Sequence, residues 1–315
     1  MRNNTPPAAE KIALTARDGY ALTALRYAAQ GTTRGHLIVA GATGVAQLFY
    51  KNFAAFASAQ GYCVLTLDYR GIGLSKAASL KGMRMDYLDW AHHDLAAAVD
   101  LMAHDRLPLF MVGHSFGGHA FGSLPNHDRV ARFYTFATGA GWHGWMPRAE
   151  RLKVMLMWRL AGPLLVRWKG YLAWSKLGMG EDLPADVFHQ WKHWCQFPNY
   201  FFGDPHMPDV AERFARVTTP IVAANALDDS WATPASRDAF MAGYSGTVWR
   251  AVDIDPARSR LGAIGHMGYF RRGSEPLWQA VLDWFDAHFQ HGETGLVGHP
   301  GGVVSRGVSP GVGPQ

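Results

Sequence analysis

The residues Leu109-Phe110-Met111-Val112-Gly113-His114-Ser115-Phe116-Gly117-Gly118 constrain this chain more than any other stretch. An apolar run of strand character ends in G-x-S-x-G and passes into small residues that a helix accepts. This is the pattern of a nucleophile elbow, a sharp strand-to-helix turn that raises a serine hydroxyl above the end of a sheet. Bulky side chains two residues either side of Ser115 would collide in such a turn, so Gly113 and Gly117 suit it. The serine backbone must be strained there, and the N–H groups opening the next helix favour negative charge beside it. Because the chain holds 35 glycines, a lone G-x-S-x-G is weak evidence; a glycine-rich turn has the same letters. The surrounding pattern decides.

Strands and helices alternate around that turn. Residues 11–16 and 20–27 read as a hairpin about Asp18-Gly19. Residues 36–40 form a short buried strand, followed by Gly41-Ala42-Thr43-Gly44. Helical spacing over 47–60 stops at Gly61, and 62–67 is another buried strand running into Asp68-Tyr69-Arg70-Gly71-Ile72-Gly73-Leu74-Ser75. Residues 86–104 read as a long helix; 130–138, 219–225 and 247–254 supply further strands, and 276–290 a closing amphipathic helix. An opening hairpin and then alternation specify the α/β class: a mainly parallel, doubly wound sheet covered on both faces.

One segment breaks the alternation. Residues 139–217 are far too long for a crossover loop, so the core is expected at 10–138 and 218–290 with an inserted helical cap between. The insertion holds seven tryptophans, Trp142, Trp145, Trp158, Trp168, Trp174, Trp191 and Trp194. Its residues 148–176 carry seven basic side chains against one acidic, interleaved with bulky apolar ones. A cap folded over Ser115 is the favoured reading. Peripheral membrane contact through the same segment is compatible with it.

Composition narrows the rest. With 315 residues and 48% apolar, the chain affords a large core. The net charge of +5 comes without a block of five basic residues, so no nucleic-acid partner is expected. Cys63 and Cys195 make no disulfide framework, which favours a reducing, cytoplasmic setting. No leader is read at residues 1–9, taken as a flexible start, and no run of 18 apolar residues occurs. Residues 291–315, rich in glycine and proline, read as a disordered tail.

A serine nucleophile needs a base, and the base needs an orienting carboxylate. In a doubly wound sheet the reacting groups gather at the C-terminal strand ends. That rule selects His266, between the last strand and the last helix, in Ile264-Gly265-His266-Met267-Gly268. The carboxylate should follow the preceding strand, where Asp228 and Asp229 adjoin; counting from the strand end favours Asp229, with Asp228 shaping the turn. An oxyanion hole needs two preorganised donors. The Phe116 N–H is one, and Ala42 is the choice for the other, with Thr43 next in line.

Over about residues 10–290 the chain resembles the α/β-hydrolase superfamily. The likeness rests on Ala40-Gly41-Ala42, where many members have H-G-x, on residues 68–75, on Gly113–Gly117, on Ala226-Leu227-Asp228-Asp229 and on Gly265-His266. Ser115, Asp229, His266 is also that superfamily's chain order. Within it the chain looks like the lysophospholipase, monoglyceride-lipase and serine-aminopeptidase branch, and more narrowly like bacterial hydrolases of unassigned substrate. Two departures stand out: Ala40 replaces the usual histidine, and Ala226 the usual glycine. The resemblance implies hydrolysis through an acyl-enzyme with neither metal nor cofactor. A small-molecule ester, with an apolar or lipid-like acyl group, is the first expectation. An amidase or aminopeptidase with the same triad, and a non-catalytic ligand binder, are the alternatives; oligomeric state is left open. His189 and His193, four apart on a helix, have metal-ligand spacing, but neighbouring Trp191 and Trp194 favour packing.

Overall fold

The computed structural model describes residues 9–292. Nearly all of the expected flexible start and tail, at 1–8 and 293–315, therefore lies outside the described residues. Ten strands are formed among the described residues: β1 Glu10–Thr15, β2 Ala21–Tyr27, β3 Gly35–Ala40, β4 Tyr62–Asp68, β5 Leu109–His114, β6 Val130–Phe136, β7 Tyr171–Leu172, β8 Leu183–Pro184, β9 Ile221–Ala226 and β10 Trp249–Ile254. Eight of them make one sheet in the order β1-β2-β4-β3-β5-β6-β9-β10, and β7 pairs only with β8. β2 is antiparallel to both neighbours, and every other pairing in the large sheet is parallel. This is the α/β-hydrolase architecture.

The parallel strands are apolar on both faces because helices cover both. Leu37 and Val39 of β3, with Phe110 and Val112 of β5, pack on Phe53, Ala54, Trp278 and Phe285 from the helices Lys51–Ala59 and Glu275–Gly292. Ile38, Ala40 and Met111 point the other way, toward Leu95, Val99, Phe116 and Phe240. The two-residue period of a strand produces this division directly.

The chain leaves β3 toward β4 on one side and returns to β5 on the other. Strand order reverses between β3 and β5, and that is where a crevice opens in an open α/β sheet. Ala40 and His114 end the two strands at this point.

Two elements differ from the sequence expectation. The helix expected at 86–104 starts with a π turn at Trp90–Leu95 and becomes α-helical over Ala96–Met102. Its first residues are held in a turn instead: the Asp86 carboxylate accepts the Leu88 N–H (2.8 Å), and Asp89 accepts that of Asp86 (2.9 Å). Within 139–217, helices occupy Arg148–Leu156, Gly162–Lys169 and Ala185–Trp194, with a π turn at Met157–Ala161. The last helix there, Val210–Ala215, belongs to the sheet-covering layer, since the Phe214 ring packs on Tyr244 (4.8 Å) and Phe240 (5.8 Å).

Candidate active site

Ser115 follows β5 with φ 52° and ψ −109°, a conformation costly for any side-chain-bearing residue. The tightness of the turn explains it. A Cβ on Gly117 would stand 2.0 Å from the Ala40 carbonyl oxygen, and one on Gly113 would stand 2.8 Å from Gly117. The helix Phe116–Ala120 can approach β3 only without those side chains.

His266 Nε2 lies 3.1 Å from Ser115 Oγ, and His266 Nδ1 lies 3.0 and 3.1 Å from the two carboxylate oxygens of Asp229. Asp229 is completely buried. Burial pushes its carboxyl up, but the charge and N–H of His266 and the Ala232 and Trp231 N–H groups outweigh it and hold it below the usual carboxylate value. Both amides donate to Oδ1 at 2.9 Å. Asp228 faces the other way and accepts the Ile264 N–H (2.8 Å) and the Gly265 N–H (3.0 Å), anchoring the loop that carries His266.

The second oxyanion donor needs correction. The Ala42 N–H donates to the Tyr50 hydroxyl at 2.8 Å inside the protein, so it is not free to meet a substrate. Thr43, the runner-up, lines the same cavity as Ser115, and its N–H has no partner among the described residues. The Phe116 N–H likewise has none among them. Thr43 Oγ1 is held by the Tyr87 hydroxyl, which fixes this loop from its side chain.

The cavity beside Ser115 has a volume of about 220 Å³. Its walls include Val45, Trp174, Met179, Trp191, Trp231 and Met267, with no aspartate or glutamate among the lining residues. Trp231 binds three parts together: its N–H holds Asp229, its ring lies 6.1 Å from that of His266, and its indole N–H donates to Glu150 (2.9 Å) on the inserted helix. Nothing in the sequence distinguished it from eleven other tryptophans. Its position two residues beyond the acid is the signal available.

The run 68–75 proves to be a brace. Asp68 accepts the Gln47 N–H (2.7 Å) and the Leu74 N–H (2.8 Å), and Arg70 spans Asp94 (2.6 Å) and Asp18. His193 pairs with Asp204 at 3.2 Å, while the His189 ring lies 5.4 Å from that of Phe188. Metal-ligand spacing occurs among the described residues at His36, His104 and Asp105, toward the opposite strand ends from Ser115.

The sequence matches the family described as "Serine aminopeptidase, S33" over residues 32–189, half of the chain. The chain belongs to the serine aminopeptidase family. As a member it is a hydrolase of the α/β-hydrolase superfamily. The match takes in Ser115 and ends ahead of Asp229 and His266. No curated protein matches the chain.

Solved structures give the same architecture. A soluble variant of monoglyceride lipase from Saccharomyces cerevisiae, in complex with a substrate analog, superposes with a TM-score of 0.66 at 16% identity, covering 91% of this chain and 97% of that one. DcsB in complex with its substrate analogue gives 0.62 at 15%, covering 89% and 100%. An esterase from Exiguobacterium antarcticum gives 0.58 at 13%, covering 88% and 100%. Identities this low show the shared fold. Among the described residues no helix is long and apolar enough to cross a membrane.

Proposed function

We propose that this member of the serine aminopeptidase family is a carboxylic-ester hydrolase that works through an acyl-enzyme. One observation carries the reading: Ser115 Oγ, His266 Nε2 and the Asp229 carboxylate form a continuous hydrogen-bonded line at 3.0–3.1 Å, starting from a strained serine. In this mechanism Ser115 Oγ attacks the ester carbonyl carbon while His266 Nε2 takes its proton. Asp229, ionised, keeps a proton of His266 on Nδ1 and stabilises the imidazolium that forms. The negative oxygen is received by the Phe116 and Thr43 N–H groups. His266 then protonates the leaving alkoxide, and water repeats the sequence to free the acid and restore Ser115.

An ester with an apolar acyl group fits the cavity best. Its walls are tryptophan, methionine and valine, so added methylenes are rewarded there. The S. cerevisiae and E. antarcticum neighbours, a monoglyceride lipase and an esterase, agree with this choice. An aminopeptidase must hold a substrate ammonium, and the cavity lining lacks a carboxylate for it. The nearest acid on the inserted helix, Glu150, is already engaged by Lys153 (3.3 Å) and Trp231.

Two measurements test this. A fluorophosphonate should add one adduct to the intact protein, and Ser115→Ala should abolish it; a labelled Ser115→Ala protein overturns the assignment. Across p-nitrophenyl esters, kcat/KM should rise from acetate to at least hexanoate. Each buried methylene is worth about 0.8 kcal/mol, close to fourfold. Flat ester activity beside clear turnover of aminoacyl-p-nitroanilides would favour the peptidase instead.

A further inference from the structure

The helical run over 148–169 is apolar on two opposite faces. Val154, Trp158, Gly162 and Val166, four residues apart, are buried against the body of the protein. Leu152, Leu156, Leu160, Leu164 and Trp168 follow the same step, two residues out of phase, and are 53–74% exposed. Two residues turn an α-helix by about 200°, so the second row points away from the first. A single exposed leucine is ordinary. Four leucines and Trp168 at a constant step form a ridge about 24 Å long.

Such a row should not stay on one side. Four residues overshoot an α-helical turn by about 40°, and four successive steps would carry Trp168 about 160° round from Leu152. The π turn Met157–Ala161 removes part of that drift, because its wider i→i+5 winding rotates less per residue. Pro163 supplies the cause: it has no N–H to give the Arg159 carbonyl, and its ring crowds that carbonyl. Gly170, at φ 81°, then ends the run.

The ridge lies among cations. Arg148, Arg151, Arg159 and Arg167 are exposed and have no acidic partner among the described residues, while Lys169 lies 3.9 Å over the Trp168 ring. Glu150, the only acid in 148–176, is taken by Lys153 and Trp231. A second copy of the chain would set these unpaired arginines against their own kind. An anionic surface that is apolar just beneath its charge satisfies both features at once.

We propose that this face docks on an anionic lipid bilayer, with the leucine ridge lying in the interface and the arginines among the headgroups. A hollow of about 290 Å³ beside the helix, lined by Val154, Leu156, Met157, Met179 and Trp231 with the paired Glu150 and Lys153 at its wall, shares Met179 and Trp231 with the Ser115 cavity. An acyl chain drawn from the bilayer would reach the serine past Met179 and Trp231, the side chains common to both spaces. This last step rests on the ester-hydrolase reading; the docking itself does not.

The experiment is co-sedimentation of the full chain with phosphatidylcholine vesicles, with and without phosphatidylglycerol. Binding is expected with phosphatidylglycerol, should weaken in salt, and should be the same for Ser115→Ala. The triple variant Leu152→Asp, Leu160→Asp, Leu164→Asp should lose at least tenfold in partitioning, while its circular dichroism and its hydrolysis of soluble p-nitrophenyl acetate stay unchanged. No binding to either vesicle, or equal binding by the triple variant, overturns the proposal. So does a dimer, seen by sedimentation velocity and broken by the triple variant, when no vesicle binding occurs. Vesicle binding by a protein that fluorophosphonate leaves unlabelled would retain the docking and remove the ester-hydrolase reading.

Discussion

The Tyr50 hydroxyl lies 3.0 Å from His114 Nδ1, and the direction of that hydrogen bond is determined by its neighbours. His114 Nε2 is 2.9 Å from the His266 carbonyl oxygen, which can only accept, so Nε2 carries the proton and Nδ1 is bare. Tyr50 therefore donates to His114 and accepts the Ala42 N–H. A buried line of three hydrogen bonds thus joins the loop after β3 to the backbone of the proposed base. Burial suits it: the His114 imidazole is pushed down to about 3 and stays neutral, and the Tyr50 phenol is raised and stays protonated.

Tyr50→Phe should break this line at its centre. It leaves the Ala42 N–H and His114 Nδ1 without partners in a dry place, each costing about 1–3 kcal/mol. Thermal unfolding should show a Tm lower by roughly 5–10 °C. Because the lost bonds position His266 rather than touch substrate, kcat should fall while KM for a soluble ester holds. An unchanged kcat would show that the line only stabilises the fold.

The adjacent carboxylates should separate by effect. Asp229→Asn removes the charge facing His266 Nδ1 and should lower kcat on the order of 10⁴-fold, as in other triads. Asp228→Asn loosens the Ile264 and Gly265 N–H anchors, two bonds distant from the chemistry, and should cost about tenfold in kcat with a lowered Tm. Steady-state kinetics on one p-nitrophenyl ester ranks them. A reversed order would exchange their roles.

Gly117→Ala tests the elbow through packing alone. The new methyl would meet the Ala40 carbonyl oxygen at 2.0 Å, a backbone atom of a central strand that cannot swing aside. Overpacking at such a site costs about 3 kcal/mol or more. Expression of soluble protein and its denaturant midpoint are the measurements, and a variant of wild-type stability would show that the helix after Ser115 is free to retreat from β3.

These relationships also mark what could be read in the sequence. G-x-S-x-G announced the turn because only glycine tolerates the approach of Gly117 to Ala40. Asp229 and His266 were legible because a doubly wound sheet gathers loops at one edge, so chain order already narrows the candidates. Ala42 misled for a local reason: whether an N–H is free depends on Tyr50, eight residues on, whose hydroxyl reaches back to it. The exposed row on 148–169 was half legible. Its letters showed bulky apolar residues interleaved with basic ones, but the side each one takes depends on the π turn at Met157–Ala161.

The buried histidines should set the protein's response to mild acid. His119 is enclosed by the rings of Tyr200 and Phe240, each 4.6 Å away, and burial lowers it to about 4. In the unfolded chain it titrates near 6.5. Between these values the unfolded state takes up a proton that the folded state refuses, so stability falls as pH falls from 6.5 toward 4. One such group accounts for about 1.4 kcal/mol per pH unit through the middle of the window, and about 3 kcal/mol in all. His114, His92 and His127, also lowered by burial, act in the same direction. Asp229, lowered, contributes only further down, because its stabilisation is lost below the ordinary carboxylate range. His119→Gln isolates one share. The Gln amide can keep the bond that Nε2 gives the Gly139 carbonyl (2.8 Å), and Nδ1 has no partner to lose. Urea unfolding from pH 7 to 4.5 should give wild type a steeper loss than His119→Gln, by up to one proton's worth of slope. Parallel curves would mean that the imidazole takes up its proton in the fold as readily as in the unfolded chain.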